Sequence, residues 1–204
     1  ATAELTFAEK LQRAAGILAL VCSLFVLAGF YVARHERRIA TDLGRTATLC
    51  ALVVLCLGVV RLLASQALNA ELIPVAASAM ILVIAYNPSF GLMATFSLSL
   101  LTCMALGTGI AHFLVLLGGT AAGVLGLNEV RTRTKLIKVG AISAAVYLIL
   151  TWAAGLWQHQ PIELIRNDGL WRAGWGLMAG FLMGGSLPFL ENAFGIVTGI
   201  SLLE

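Results

Sequence analysis

Residues 187–204, LPFLENAFGIVTGISLLE, follow a glycine-rich apolar segment and carry a proline at their second position. Pro188 suits the first turn of a new helix, because that turn leaves its N–H groups unbonded and proline has none to lose. Apolar side chains then recur at Leu190, Phe194, Val197 and Leu203, roughly along one helix face. The polar positions of this face are Glu191, Thr198 and Glu204. Since no Gly or Pro stop signal closes the pattern, we expect 188–204 to be a connector helix that leads into a further domain.

The composition upstream is that of a helical membrane protein. Hydrophobic residues make up 60% of the chain and charged residues only 11%, which lies outside the range of soluble domains. The apolar residues fall into long runs, as in proteins that cross a membrane several times. The net charge of +3 gives no indication of a nucleic-acid partner. The four cysteines lie inside apolar runs without CxxC spacing, so we expect reduced thiols.

Seven apolar runs predict an all-α bundle of seven transmembrane helices over 1–187, followed by the connector helix 188–204. The runs are about 11–32, 46–63, 72–86, 90–106, 110–127, 139–157 and 170–187. Asn87-Pro88-Ser89 is expected to form a tight turn between the third and fourth runs, and Gln158–Asp168 a polar loop before the seventh.

The basic residues predict the orientation in the bilayer. With seven spans, two basic loops share one side with the C-terminal tail, and that side is richer in arginine and lysine than the other. The arginines of these two loops include Arg34, Arg37, Arg38, Arg131 and Arg133. The positive-inside rule then places the C-terminus in the cytoplasm and the N-terminus on the opposite side of the membrane. An N-terminus outside without a signal predicts that a further segment precedes Ala1.

Glycines repeat every fourth residue in the last apolar run, at Gly176, Gly180 and Gly184. This spacing produces a smooth helix face against which another helix can pack closely. Close packing inside the bundle is the ordinary interpretation; a homodimer interface and a sliding contact used in signalling are the alternatives. The four tryptophans flank the loop 158–168 and predict an interfacial belt on the outer face.

The sequence offers little chemistry of its own. His112 lies near the start of the fifth run with Thr108 one turn before it, and a polar pair at membrane depth is a candidate functional site. A histidine bonded to nearby backbone would be the structural explanation. Clusters of potential metal ligands, phosphate-binding loops and deep charges paired across a repeat are not recognisable, so we predict no catalysis and no bound metal for these residues.

The tail residues resemble the end of the membrane region in the seven-transmembrane HD-hydrolase family, the PgpH-type cyclic-di-AMP phosphodiesterases. The matching positions are Leu187, Pro188, Glu191, Phe194, Thr198, Leu202, Leu203 and Glu204. Upstream, Pro74, the stretch 87–101 and Gly118-Gly119 also agree with this family. The resemblance covers the whole chain, with its specificity concentrated in the tail.

The resemblance implies an extracellular domain before the seven spans and a cytoplasmic HD domain after them. In that family the HD domain binds two metal ions and hydrolyses cyclic di-AMP; its catalytic residues would lie beyond Glu204. The expected function is therefore a membrane sensor that couples the outer domain to the hydrolase, with Pro188, Glu191, Phe194 and Thr198 and the glycine face as candidate relay residues. The expected partners are the lipid bilayer, the protein's own two domains and a second copy of the chain. A passive anchor that dimerises the hydrolase, and a transporter-like bundle that binds a small or lipidic ligand, are the alternatives.

Overall fold

A computed structural model of the chain describes residues 7–35, 43–64, 70–127 and 133–194. These residues form seven helices and no strand, as the all-α prediction requires. The helices are α1 (Phe7–His35), α2 (Leu43–Ala64), α3 (Leu72–Ala85), α4 (Pro88–Leu106), α5 (Ile110–Gly126), α6 (Arg133–Trp157) and α7 (Ile162–Phe194).

Three helices among the described residues are long and apolar enough to cross a membrane. They contain the segments Thr46–Ala64, Pro88–Leu106 and Lys135–Trp157. Shorter apolar segments, Leu18–Tyr31, Leu72–Ala85 and Ile110–Gly126, lie in α1, α3 and α5. Seven spans therefore remain a prediction, whereas a membrane protein follows from the length and apolar composition of these helices.

The chain divides into two units, of which the first comprises residues 1–50. It contains α1 and the beginning of α2. Most large apolar side chains on α1 are exposed, including Phe25, Val26 and Phe30, while Leu24 is buried. Exposed apolar side chains of this kind are expected where a helix faces lipid.

The second unit, residues 51–204, has α3 at its centre. This helix packs against α4, α5 and α7, and most of its side chains are buried. It has only 14 residues, about 21 Å at the usual helical rise. Because its neighbours surround it, its apolar side chains reach all round the helix rather than forming one stripe.

Helices α6 and α7 form an antiparallel pair with small residues in the interface. A Cβ added to Gly180 would lie 2.6 Å from the Cα of Gly140, and one added to Gly176 would lie 3.2 Å from the Cα of Ala144. Nearer the α6–α7 turn, a Cβ on Gly155 would lie 2.5 Å from the Ile165 side chain. Glycine is required at 140 and 180 because the two backbones touch there.

Tyr147 occupies a slot between two of these glycines. Its buried ring lies against Gly119 of α5 on one edge and Gly176 of α7 on the other. Its hydroxyl shares a 2.7 Å hydrogen bond with Oγ1 of Thr120. One turn away, Ser143 Oγ donates to the Gly119 carbonyl oxygen at 2.7 Å. The side chains of α6 thereby fasten α5 and α7 on opposite sides.

The last helix differs from the predicted pattern at both ends. The polar loop expected at 158–168 is wrong in its second half, because α7 begins at Ile162 and includes Asp168. Pro161 starts it: its carbonyl oxygen accepts the first helical bonds, from the N–H groups of Leu164 and Ile165. An apolar run identifies only the part of a helix that suits lipid, so it does not include the charged first turns of α7. At the other end, α7 continues through Pro188 to Phe194, and the new helix expected to begin at Pro188 is not seen. A proline removes one backbone bond from a helix and need not end it when neighbouring turns persist.

Candidate functional site

A cavity of about 260 Å³ lies where α4 ends, α5 begins and the α6–α7 turn passes. Its wall is unusually polar for a bundle whose other buried positions are mostly apolar. The polar lining includes Thr108, His112, Thr151, Gln158, Asp168 and Arg172. The polar side chains at this end of the bundle could therefore bind a ligand.

Two charged side chains are arranged around the imidazole of His112. Nδ1 of His112 lies 3.3 Å from Nη2 of Arg172, and Nε2 lies 3.5 Å from Oε1 of Glu71. A guanidinium can only donate, so Nδ1 accepts and the ring proton belongs on Nε2, facing the carboxylate. Glu71, His112 and Arg172 thus connect the start of α3, the start of α5 and a position about three turns into α7.

Glu71 is the most deeply enclosed carboxylate of this group. It precedes α3 and is only 4% exposed. Burial raises the pKa of the Glu71 carboxyl above its ordinary value, while its own backbone N–H and the guanidinium of Arg172 oppose that shift. A buried carboxylate retains its charge only with such partners, so Arg172 supports Glu71 as well as His112.

Three polar atoms of the cavity wall lack a hydrogen-bond partner among the described residues. They are Nε2 of His112, which lies 3.5 Å from the Glu71 carboxylate without a hydrogen bond, Nε of Arg172, and Oγ1 of Thr151, a residue that is 6% exposed. A threonine within a helix can usually donate to the carbonyl oxygen one turn back, so an unbonded hydroxyl is unusual at this depth. All three atoms belong to residues that line the cavity.

Two left-handed turns form the mouth of this region. Gly107 ends α4 with φ 67°, and the Thr108 N–H then donates to the Cys103 carbonyl oxygen at 3.0 Å. His159 ends α6 with φ 54°, and the Gln160 N–H donates to the Gly155 carbonyl oxygen at 3.0 Å. The second turn uses a histidine where such turns favour glycine, which costs about 1 kcal/mol.

The candidate pair found in the sequence lies in this site. His112 and Thr108 both line the cavity, His112 half-buried and Thr108 exposed. The sequence reading missed Glu71, Thr151, Asp168 and Arg172. Arg172 and Asp168 could have been identified from the sequence, since ionisable residues in or beside a membrane span are candidates for a functional site. Asp168 falls at the end of the predicted loop and Arg172 near the start of the predicted seventh run, where charged residues are common and do not indicate a site.

The glycine face proposed for signalling divides into two parts. Gly176 and Gly180 lie in the packed interface with α6, as the ordinary interpretation predicts. A Cβ added to Gly184 would meet no described atom within 4 Å. Gly184 is therefore the member of the three that can be substituted without a clash against the described residues.

Most of the other predicted site residues fall where the structure gives no side-chain detail. Pro188, Glu191 and Phe194 lie on α7 and Arg133 begins α6, but their side chains are outside the described part. Thr198, Arg37, Arg38 and Arg131 lie wholly outside the described residues, whereas Arg34 is exposed near the end of α1. Their roles stay predictions.

No group of three or more His, Cys, Asp and Glu side chains that could hold a metal occurs among residues 7–35, 43–64, 70–127 and 133–194. Glu71 and His112 form a pair with an arginine beside them, and a cation would be repelled there. The two metal ions that the resemblance implies belong to the HD domain beyond Glu204 and stay a prediction.

The relationship to known proteins is carried by one family comparison. The family model described as "7TM receptor with intracellular HD hydrolase" matches residues 11–198, nearly the whole chain. The chain belongs to this 7TM receptor family. No curated protein and no solved structure matches it.

Membership of the 7TM receptor family agrees with the resemblance seen in the tail residues. It identifies the chain as the membrane receptor domain of proteins that also carry an intracellular HD hydrolase. The match includes the cavity, the α6–α7 interface and the described part of the tail.

Proposed function

We propose that the chain is the sensing and signal-transducing membrane domain of a cyclic-di-AMP phosphodiesterase, coupling an extracellular domain to a cytoplasmic HD hydrolase. The observation that carries the proposal is the family match over residues 11–198, which pairs a 7TM receptor with an HD hydrolase. Cyclic di-AMP as the substrate, and two metal ions in the hydrolase, follow from the resemblance of the tail residues alone.

Helix α7 supplies a physical route for the signal. Its 33 residues extend about 50 Å, against a hydrocarbon thickness of about 30 Å. Asp168 and Arg172 lie near its beginning, in the cavity wall, and Phe194 is its last residue. A shift or rotation of α7 at the cavity would therefore reach the segment that leads toward the hydrolase.

The orientation belongs to the same proposal. Seven spans in a bacterial inner membrane, with the C-terminus in the cytoplasm, would place the cavity on the extracellular side and Phe194 on the cytoplasmic side. That arrangement suits a receptor whose stimulus arrives outside. Arg131 and Arg133 would then meet anionic lipid headgroups at the cytoplasmic surface.

A signal requires two arrangements of the bundle that differ in stability and that a stimulus favours unequally. The α6–α7 interface is suited to this, because backbones in contact at Gly140 and Gly180 tolerate few intermediate positions. We also propose that the chain pairs with a second copy of itself. Helices with exposed apolar side chains, such as α1, offer surface for that contact.

The first experiment measures cyclic-di-AMP hydrolysis by the native full-length protein with Mn²⁺ supplied, beside residues 1–204 alone in detergent. We expect hydrolysis by the full-length protein and none by the membrane piece. If neither hydrolyses cyclic di-AMP, the substrate assignment is wrong.

A chimaera separates sensing from anchoring. Residues 1–187 are replaced by an unrelated dimeric membrane segment, and hydrolysis is measured with and without the extracellular domain. A receptor loses its response to that domain in the chimaera; unchanged regulated activity would identify a passive anchor instead.

A further inference from the structure

The wall of the cavity carries opposite charges one helical turn apart. Asp168 and Arg172 both line it, and side chains at this spacing on a helix lie about 5–6 Å apart at their Cβ atoms. They do not form an ion pair with each other: Arg172 bonds His112, and Asp168 has no ion-pair partner among the described side chains. Opposite charges one helical turn apart at a cavity, not paired with each other, suit a ligand that also carries both signs.

The cationic half of the site has unused donors. A guanidinium has five N–H donors, and His112 Nδ1 takes one of them. Nε of Arg172 is buried without a partner among the described residues. A planar carboxylate is the group that best accepts two parallel bonds from a guanidinium. Arg172 is thereby suited to hold a ligand carboxylate.

The second, independent feature is the hydroxyl of Thr151 on α6. It is 6% exposed, lines the same cavity and has no hydrogen-bond partner among the described residues. A buried hydroxyl without a partner costs stability, and a ligand atom that bonded to it would recover that cost. Thr151 on α6 and Arg172 on α7 line the same cavity, so one ligand can reach both.

The volume limits the size of the ligand. A cavity of about 150 Å³ accommodates benzene. The 260 Å³ here allows a somewhat larger molecule, within the range of the smaller amino acids.

We infer that the cavity binds a small amino acid, whose carboxylate is held by Arg172 and Thr151 and whose ammonium group is held by Asp168. His112 and Glu71 act as positioning residues, because His112 accepts a bond from the Arg172 guanidinium and the Glu71 carboxylate attracts it electrostatically. Binding itself rests only on the cavity; the expectation that it changes hydrolysis rests on the proposed function.

The test measures the thermal unfolding midpoint of the native full-length protein in detergent with each of the twenty amino acids at about 10 mM. For the amino acid with the largest increase, the affinity is then compared with that of its α-hydroxy acid and of its decarboxylated amine. We expect both analogues to bind about 10- to 100-fold more weakly, since each loses one charge-assisted contact. An α-hydroxy acid that binds as tightly as the amino acid would overturn the role of Asp168.

Two pairs of variants assign the contacts. Asp168→Asn should weaken binding about 10-fold or more, whereas Glu163→Gln, an exposed carboxylate in the first turn of α7, should not. Thr151→Val should weaken binding about 2- to 10-fold, whereas Thr102→Val, which also removes a buried hydroxyl without a described partner but lies outside the cavity wall, should not.

The outcomes distinguish the two proposals. If none of the amino acids raises the midpoint, or if the control variants weaken binding as much as the cavity variants, the binding inference is wrong. If an amino acid binds as described and hydrolysis of cyclic di-AMP does not respond, the binding inference stands and the coupling in the proposed function fails.

Discussion

Helices α6 and α7 contact each other in two chemically opposite regions. In the middle of the pair, Gly140 meets Gly180 and the Tyr147 ring fills the remaining space, so the contact is dry and close. Toward their connecting turn, Thr151 and Arg172 line a polar cavity. The close contact at Gly140 and Gly180 fixes the distance between the two helices. The cavity near the turn therefore stays open, although Thr151 Oγ1 and Arg172 Nε in its wall have no hydrogen-bond partner among the described residues. The rigid glycine contact thus allows the cavity to keep polar atoms without hydrogen-bond partners.

The largest effect on the free energy of unfolding is expected from Gly180→Leu, which places a large side chain in the close contact between α6 and α7. Its side chain would begin 2.6 Å from the Cα of Gly140 and 3.0 Å from the Leu136 carbonyl oxygen, both backbone atoms that cannot rotate away. We expect a loss of about 4 kcal/mol or more in the free energy of unfolding, measured by denaturant titration in detergent. Gly184→Leu on the same helix should change it by less than about 1 kcal/mol. Equal losses would contradict the close contact.

Arg172→Met tests the polar region. It leaves the buried Glu71 carboxylate without its cation, and we expect a loss of about 2–3 kcal/mol, less than for a fully buried pair because Arg172 is partly exposed. Arg166→Met removes an exposed arginine from the same helix and should cost at most about 0.5 kcal/mol. Combining Arg172→Met with Glu71→Gln should restore part of the loss; a purely additive result would show that the two side chains are not coupled.

Tyr147→Phe separates the packing of the ring from its hydrogen bond. The ring stays between Gly119 and Gly176, while the Thr120 hydroxyl loses its 2.7 Å partner. We expect a loss of about 1–2 kcal/mol in the free energy of unfolding. Adding Thr120→Val should recover most of it in a double-mutant cycle, and no recovery would mean that the bond contributes little.

The smallest effect concerns the two turns at the cavity mouth. His159→Gly removes the cost of a left-handed histidine but adds flexibility to the unfolded chain, so a net gain of about 0.5 kcal/mol is expected. Gly107→Ala imposes that cost on the other turn and should lose about 1 kcal/mol. Thermal unfolding of both variants measures the difference; a loss in both would mean that the His159 ring itself contributes to the turn.

The helices were largely predictable, and the site was not. Apolar runs located α2 to α5 within a few residues, because burial in lipid or protein leaves a strong hydropathy signal. The start of α7 was misplaced, since Glu163, Arg166 and Asp168 look like a loop when only hydropathy is considered. Pro161, two residues after the left-handed His159, was the better signal for a helix start.

The cavity depends on contacts between distant parts of the chain. Glu71, His112, Thr151 and Arg172 lie on four different elements, and periodicity within one helix does not determine which helices meet. His112 could be singled out as an ionisable residue in an apolar run, but its two partners could not. In the same way, the sequence suggested that Gly180 lies in a close contact without identifying Gly140 as its partner.

The slot that holds Tyr147 also bears on how the bundle can move. A flat ring held between two glycine faces resists sliding until it turns out of the way, and buried side chains have a few discrete orientations rather than a continuum. Any displacement of α7 past α6 therefore meets a latch that is either closed or released. If α7 moves past α6 as proposed, we expect the receptor domain to change between two arrangements rather than continuously.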